Sequence, residues 1–297
     1  MACVAFDLDC TLGFFEITNP LVYLWSIEHI RNPEQARVNR QFKPSITLLN
    51  RLQRAKETFA KSLLADPAIL STVIRPNLDA LMLPLLEAKK VNRLKTIIIY
   101  SNTGVSYSVE LAKFLIESIY KTNVFSLEAD HWHPLRTADH VNRMNGHYVE
   151  PYKTMETLQK LFKKALHKKK SIPIKNILFV DDRSPKHKLQ ENEAEGLTYI
   201  VPTHFNPVVT KKQKDYIMFL AVSALVSQGL TDNKEYLESG FCHRNIPYDF
   251  TKQESISGLP ALLEYVRNEM DTSRGAPWVQ DTAALSAQVR TFLSGVR

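Results

Sequence analysis

Three clusters of polar side chains stand directly after short apolar runs of the sequence. They are Asp7-x-Asp9-x-Thr11, Ser101-Asn102 and Asp181-Asp182. Pairs of carboxylates that converge on one site repel each other strongly unless a cation lies between them. The residue types therefore indicate a cation-binding site with hydroxyl and amide groups beside it. The alternative is a set of polar strand ends on a sheet that performs no catalysis.

The runs that precede these clusters have the form of buried parallel strands, because each is apolar and ends abruptly in polar residues. They cover residues 2–6, 96–100 and 176–180, and a fourth run over 197–201 closes on Pro202. Helical patterns lie between the runs, over residues 77–89, 105–120 and 152–167. This alternation predicts an α/β fold with a parallel sheet and helices on both faces. The carboxyl ends of parallel strands share one sheet edge, where the clusters are predicted to meet.

The order of the clusters, with Lys153 between the second and the third, carries a resemblance to a known family. Asp7-x-Asp9-x-Thr11, Ser101, Lys153 and Asp181-Asp182 resemble the motifs of the haloacid dehalogenase superfamily of phosphohydrolases, over residues 1–203. The resemblance implies a three-layer α/β sandwich around a parallel central sheet. It also implies a phosphatase that works through an aspartyl-phosphate intermediate with Mg²⁺ as cofactor.

The resemblance assigns the catalytic and metal-binding roles. Asp7 is implied as the nucleophile that attacks phosphorus, and Asp9 as the acid and base of the two steps. Thr11 is implied to orient the aspartates through its hydroxyl. The implied Mg²⁺ ligands are Asp7, the backbone carbonyl of Asp9, and Asp181 or Asp182.

The phosphate-binding and charge-stabilising roles also follow from the resemblance. Ser101 and Asn102, with nearby backbone N–H groups, are implied to bind the phosphate oxygens. Lys153 is implied to contact the phosphate and to stabilise the charge that develops in the transition state. Lys160 and Lys175 are the other lysines available for this role, but Lys153 stands shortly before the helix predicted over Met155–Leu166, which favours it.

Three further segments resemble phosphatases that act on the C-terminal domain of RNA polymerase II. They are Ile74-Arg75-Pro76-Asn77-Leu78-Asp79-Ala80-Leu81, Tyr148-Val149-x-x-x-Lys153 and Val180-Asp181-Asp182-Arg183-Ser184-Pro185. The chain departs from that branch at Cys10, where Glu is usual, at Asp182, where Asn is usual, and at residues 101–103. This resemblance implies a phosphoprotein or phosphopeptide substrate.

Other functions stay open at this point. The same chemistry suits a nucleotide, a sugar phosphate or the terminal phosphate of a nucleic acid. A haloacid dehalogenase fold that only binds a partner, without catalysis, is the alternative of another class. Cys10 is either a small buried residue or a redox-sensitive thiol beside the nucleophile.

The chain organisation predicts a catalytic core over residues 1–203 with two insertions. Residues 14–75 contain helical patterns broken by prolines and are predicted to form an inserted cap. Residues 124–151 form a polar insertion. Residues 204–297 change in character and are predicted to be a helical C-terminal extension, to which the sequence assigns no role.

The positive charge of the chain is concentrated in one window. The protein has 297 residues and a formal charge of +7, whereas residues 151–190 alone hold eleven Lys or Arg and three Asp or Glu. The default interpretation is a solvated helix face at Lys160, Lys163 and Lys164, and nucleic acid binding is the less favoured alternative. The favoured partner is an anionic phosphorylated substrate.

Composition restricts the class of protein further. Only 9 Gly and 3 Cys are present, which excludes a collagen and a disulfide scaffold. No signal-like or membrane-spanning stretch is apparent, so we expect an intracellular protein, cytoplasmic or nuclear, without a membrane partner. The histidines of segment 131–147 are compatible with zinc but have no recognised ligand spacing.

Overall fold

The computed structural model describes residues 2–25, 44–101, 106–126, 153–168, 170–182, 189–237, 259–271 and 282–296. The chain divides into two compact units. The first comprises Met1–Phe15, Ser71–Pro207 and Ala276–Arg297, and the second comprises Glu16–Leu70 and Val208–Gly275.

The first unit is built on a parallel sheet. Its strands are β1 (Ala2–Phe6), β2 (Leu94–Ile99), β3 (Ile177–Val180) and β4 (Thr198–Ile200), in the order β2-β1-β3-β4. All residues of β1 and β3 are buried, as expected for central strands that are apolar throughout. The predicted α/β fold with a parallel sheet is therefore confirmed.

The register of the sheet brings the ends of the strands together. Phe6, the last residue of β1, pairs with Ile99 of β2 and with Val180 of β3. These residues are also the last of their strands, so the polar residues that follow leave the sheet side by side. The predicted common edge for the three clusters is thus present for the residues that the structure describes.

Helices account for most of the remaining regular structure. In chain order they are α1 (Val22–Trp25), α2 (Ile46–Ala65), α3 (Pro67–Val73), α4 (Asp79–Lys90), α5 (Ser106–Tyr120), α6 (Met155–Ala165), α7 (Lys211–Ser227), α8 (Leu259–Asp271) and α9 (Thr282–Gly295). No helix within the described ranges is long and apolar enough to cross a membrane.

Helix α6 shows how the local sequence positions a site residue. Thr154 is its N-cap, and the hydroxyl oxygen accepts a hydrogen bond from the backbone N–H of Thr157 at 3.2 Å. The apolar side chains at helical spacing pack on the sheet core; they are Leu158, Leu161 and Phe162. The cap fixes the start of the helix, so Lys153 stands immediately before it.

The second unit is helical. Ser45 caps α2 by accepting from the backbone N–H of Leu48 at 3.1 Å, and its own hydroxyl donates to the carboxylate of Glu235 at 2.8 Å. Tyr236 donates its hydroxyl proton to the carbonyl oxygen of Leu24 at 3.0 Å. Residues far apart in the sequence therefore belong to one packed body.

The unit boundaries differ from the predicted organisation. Residues 16–70 of the predicted cap form one unit with residues 208–275, which we assigned to the C-terminal extension. Residues 276–297, assigned to the same extension, belong instead to the unit that contains the sheet. The helical pattern of the extension was legible in the sequence, but its division depends on packing between distant segments. The predicted polar insertion lies outside the described residues from position 127 onward.

Candidate active site

The backbone at the ends of three neighbouring strands brings the polar clusters together. The N–H of Asp7 donates to the carbonyl oxygen of Val180 at 2.8 Å, and the N–H of Tyr100 donates to that of Phe6 at 2.7 Å. The parallel ladder thus continues one residue beyond the strands. Asp7, Ser101 and Asp181 are all buried at this edge.

Lys153 joins two of the aspartates. Its Nζ lies 2.5 Å from Oδ1 of Asp7 and 2.6 Å from Oδ2 of Asp181. The exposed fractions of the three side chains are 2% for Lys153, 8% for Asp7 and 0% for Asp181. The Nζ atom also lies 5.3 Å from the ring centroid of Phe179, a distance at which a cation is attracted to an aromatic face.

Lys153 is held in place by its neighbour in the chain. The backbone N–H of Thr154 donates to the hydroxyl oxygen of Tyr100 at 3.2 Å, which ties the start of α6 to the end of β2. The other two lysines that the sequence made available lie elsewhere: Lys160 pairs with exposed Glu156, and Lys175 precedes β3.

Thr11 and Asp182 hold each other. The hydroxyl of Thr11 donates to Oδ1 of Asp182 at 2.8 Å, and the backbone N–H of Asp182 donates to the Thr11 hydroxyl oxygen at the same distance. The second carboxylate oxygen, Oδ2, lies 2.5 Å from Nδ1 of His204. Both oxygens of Asp182 therefore have polar contacts, and these contacts hold its side chain in this orientation.

The turn after β1 places Asp9 and Cys10. The backbone N–H of Cys10 donates to the carbonyl oxygen of Gly13 at 2.6 Å, and Cys10 has a left-handed φ of 61°. A Cβ atom at Gly13 would collide with the carbonyl oxygen of Val73, so the turn requires glycine there. Asp9 is partly buried in this turn, two residues after Asp7.

Arg75 fastens this turn to the segment after β4. Its Nε donates to the carbonyl oxygen of Thr11 at 2.6 Å, and one terminal nitrogen donates to the carbonyl oxygens of Cys10 and Thr203, each at 2.6 Å. The guanidinium is buried, and burial lowers the pKa of Arg75 to about 10, partly offset by Asp182. It stays charged at neutral pH, and so it adds a positive charge beside the carboxylate cluster, which consists of Asp7, Asp181 and Asp182.

Burial and neighbouring charges shift the pKa values of Asp7 and Lys153. Burial raises the pKa of Asp7 to about 7; Lys153 opposes this shift, and the nearby charges of Asp181 and Asp182 reinforce it. Burial alone would lower the pKa of Lys153, but the attraction of Asp7 and Asp181 prevails and raises it. Lys153 and Arg75 together carry two positive charges against the three carboxylates, so the site favours additional positive charge.

The carboxylates fit a hard divalent cation. One oxygen from each of Asp7, Asp181 and Asp182 can be chosen so that the three atoms all lie within 4.8 Å of one another. Carboxylate oxygen is the donor that Mg²⁺ prefers in proteins. Asp181 and Asp182 both belong to the group, so the choice between them as the direct ligand stays open.

The structure thus brings together most of the residues that the sequence singled out, and it adds two. Asp7, Thr11, Lys153, Asp181 and Asp182 are linked by the contacts above, whereas Asn102, segment 131–147 and residues 183–188 lie outside the described residues. The sequence indicated Arg75 only through the resemblance of segment 74–81 to known phosphatases, and sequence reasoning missed His204. His204 follows the fourth apolar run, so the rule applied to the other strand ends would have found it.

No family model matches this chain, and no curated protein or solved structure is significantly similar to it.

Proposed function

We propose that this chain is a Mg²⁺-dependent phosphatase of the haloacid dehalogenase type, with the three-layer core of that superfamily. The observation that carries the proposal is the contact of Lys153 with both Asp7 and Asp181 in a buried site that also holds Asp182. Buried ion pairs of this kind are costly to desolvate, and they concentrate at functional sites.

The cation would be held by Asp7, by the backbone carbonyl of Asp9, and by Asp181 or Asp182. When bound, Mg²⁺ supplies the positive charge that lets a carboxylate approach an anionic phosphate. The donor set of buried carboxylate oxygens supports this assignment.

In the first chemical step, Asp7 acts as the nucleophile. One of its carboxylate oxygens forms a bond to phosphorus while the bond from phosphorus to the leaving oxygen breaks, which yields an aspartyl-phosphate. Asp9 donates a proton to the leaving oxygen, so that an alcohol departs and Asp9 becomes a carboxylate.

In the second step, Asp9 takes a proton from water. The water oxygen bonds to phosphorus, and the bond from phosphorus to the Asp7 oxygen breaks. Inorganic phosphate leaves, and both aspartates return to their starting states. Asp9 stands two residues from Asp7, at the start of a turn that Arg75 fastens through the carbonyl oxygens of Cys10 and Thr11.

The remaining site residues orient the aspartates, bind the phosphate or stabilise the charge of the transition state. Lys153 places a buried positive charge beside Asp7, where the phosphoryl group would carry its developing negative charge. Thr11 holds Asp182 through two hydrogen bonds. Ser101, buried at the end of β2, would donate to a phosphate oxygen, together with Asn102.

We propose a phosphoprotein or phosphopeptide as the favoured substrate. This part rests on the resemblance of segments 74–81, 148–153 and 180–185 to phosphatases of the RNA polymerase II C-terminal domain. Nucleotides, sugar phosphates and nucleic-acid terminal phosphates are the competing substrates, so a panel of all four classes with Mg²⁺ is the deciding assay.

The mechanism is tested by phosphate release from an aryl phosphate, with Mg²⁺ and with EDTA. We expect activity with Mg²⁺, none with EDTA, and a loss of at least about a thousandfold in Asp7→Asn, because the nucleophile is removed. Asp232→Asn, at an exposed aspartate of the second unit, is the matched control and should behave as wild type.

Two outcomes would contradict the proposal. Activity that survives Asp7→Asn would exclude the aspartyl-phosphate. A folded wild-type protein that turns over no phosphomonoester would favour a protein that binds a partner without catalysis.

A further inference from the structure

A second group of donor atoms lies next to the carboxylate cluster. Cys10 Sγ, an oxygen of Asp182 and a ring nitrogen of His204 all lie within 4.8 Å of one another. Cys10 and Asp182 are buried, whereas the side chain of His204 is 55% exposed. An ion would therefore reach this group from the solvent on the histidine side.

The chemistry of this group differs from that of the carboxylate cluster. Asp7, Asp181 and Asp182 offer oxygen alone, which suits hard cations such as Mg²⁺. Cys10, Asp182 and His204 offer sulfur, oxygen and nitrogen, the donors that Zn²⁺ accepts. Three protein ligands leave the fourth position of a tetrahedral ion open to water or another small ligand.

The backbone holds Cys10 and His204 near each other, independently of their side chains. The carbonyl oxygen of Cys10 accepts from Arg75 at 2.6 Å and from the N–H of Phe205 at 2.9 Å. Arg75 also donates to the carbonyl oxygen of Thr203, which directly precedes His204. One buried guanidinium thus fastens both segments that supply ligands.

Asp182, the third residue of this group, is also held in a fixed orientation. Because Thr11 donates to Oδ1 of Asp182, the carboxylate is held with Oδ2 toward His204, at 2.5 Å from Nδ1. At this distance the two atoms share a proton, so an ion bound by both takes the place of that proton, which the imidazole then carries on Nε2. The side chain of His204 is 55% exposed, which leaves it room to move aside and admit the ion.

We propose that Cys10, Asp182 and His204 form a second metal site, for a thiophilic divalent cation of the Zn²⁺ class. The site shares Asp182 with the carboxylate cluster but draws its selectivity from the thiolate and the imidazole. Binding releases the thiol proton of Cys10 to solvent, and the thiolate then bonds to the ion. This inference rests on the donor set and its backbone support, and it does not require that the chain be a phosphatase.

Co²⁺ substitution tests the site directly, because a thiolate bound to Co²⁺ gives a ligand-to-metal charge-transfer absorption. The full-length protein is titrated with Co²⁺ and then with Zn²⁺, and bound Zn²⁺ is measured by equilibrium dialysis. We expect the charge-transfer band in wild type and its displacement by Zn²⁺. In Cys10→Ser the band should vanish, and in His204→Ala the Zn²⁺ affinity should fall by at least about tenfold.

Matched variants separate this site from other thiols and from the carboxylate cluster. Cys3→Ser changes a buried thiol of β1, and Cys242→Ser changes the third cysteine; both should keep the band. His167→Ala is the histidine control. Asp7→Asn, which alters only the carboxylate cluster, should also keep the band, so the result is independent of the outcome for phosphatase activity.

The proposal is overturned if wild type shows no thiolate band. It is overturned equally if the band persists in Cys10→Ser or follows Cys242. Should Cys10→Ser fail to fold, as judged by circular dichroism, His204→Ala decides at a solvent-exposed position: unchanged Zn²⁺ affinity there would exclude the site.

Discussion

Two lysines of the same basic window, Lys153 and Lys160, form ion pairs in opposite surroundings. Each places its Nζ 2.6 Å from a carboxylate oxygen, of Asp181 and of Glu156 respectively. Lys153 is 2% exposed and Asp181 0%, whereas Lys160 is 67% exposed and Glu156 78%. The distance between the charges is the same, so the environment must decide what each pair contributes.

The difference arises from water. Around Lys160 the solvent screens both charges and competes for their hydrogen bonds, so the pair contributes little. Around Lys153 no solvent replaces a lost partner, and two aspartates depend on a single ammonium group. Removing one member of such a group leaves buried charge without compensation.

The largest effect is expected for Lys153→Met in EDTA. The substitution leaves Asp7 and Asp181 without the ammonium group that both contact, and we expect a loss of about 3 to 5 kcal/mol in the free energy of unfolding. Urea denaturation followed by circular dichroism measures it.

The double variant Lys153→Met/Asp7→Asn provides the control for that measurement. It removes one carboxylate together with the lysine, so it should recover part of the lost stability. An unfolding midpoint for Lys153→Met equal to that of wild type would show that the buried group does not need its lysine.

The same contrast shows how far the sequence predicts the site. An apolar run that ends in aspartate is a local pattern, and it placed Asp7 and Asp181 at one sheet edge. The position of Lys153 shortly before a predicted helix distinguished it from Lys160. These features depend on short stretches of chain, and the described structure contains all of them.

The parts that were missed depend on contacts between distant segments. Arg75 donates to backbone carbonyls 64 and 128 residues away. Because every residue has a backbone carbonyl, the sequence does not show which of them accept a hydrogen bond. The grouping of residues 16–70 with 208–275 is equally non-local. His204 is different, because its place shortly after the fourth apolar run can be read from the sequence.

The next largest effect is the contribution of Asp7 to the pH dependence of the free energy of unfolding. Burial and the neighbouring carboxylates raise the pKa of Asp7 from 3.8 to about 7. Between these values the folded protein holds a proton that the unfolded chain has lost, so this aspartate makes the protein less stable as pH rises from about 4 to about 7. In EDTA at pH 8, Asp7→Asn should therefore be more stable than wild type, by on the order of 2 to 4 kcal/mol.

Urea denaturation at several pH values between 4 and 8 measures this difference. The advantage of Asp7→Asn should shrink toward pH 4, where Asp7 of the folded wild type is protonated and the unfolded chain, with an ordinary pKa of 3.8, also begins to bind the proton. Asp232→Asn should follow the wild-type profile throughout. An advantage that grows as pH falls would reverse the sign and refute the raised pKa.

The smallest effect is expected for Lys160→Met, which repeats the lysine substitution at the exposed pair. Lys160 lowers the pKa of Glu156, so whatever the pair contributes is present near neutral pH and is lost as pH falls through that pKa. We expect an unfolding midpoint within error of wild type, and any residual difference should vanish in 1 M NaCl. The midpoint shift of Lys153→Met should persist in the same salt, because screening ions do not enter a buried site. If salt abolished both shifts alike, burial would not be what separates the two lysines.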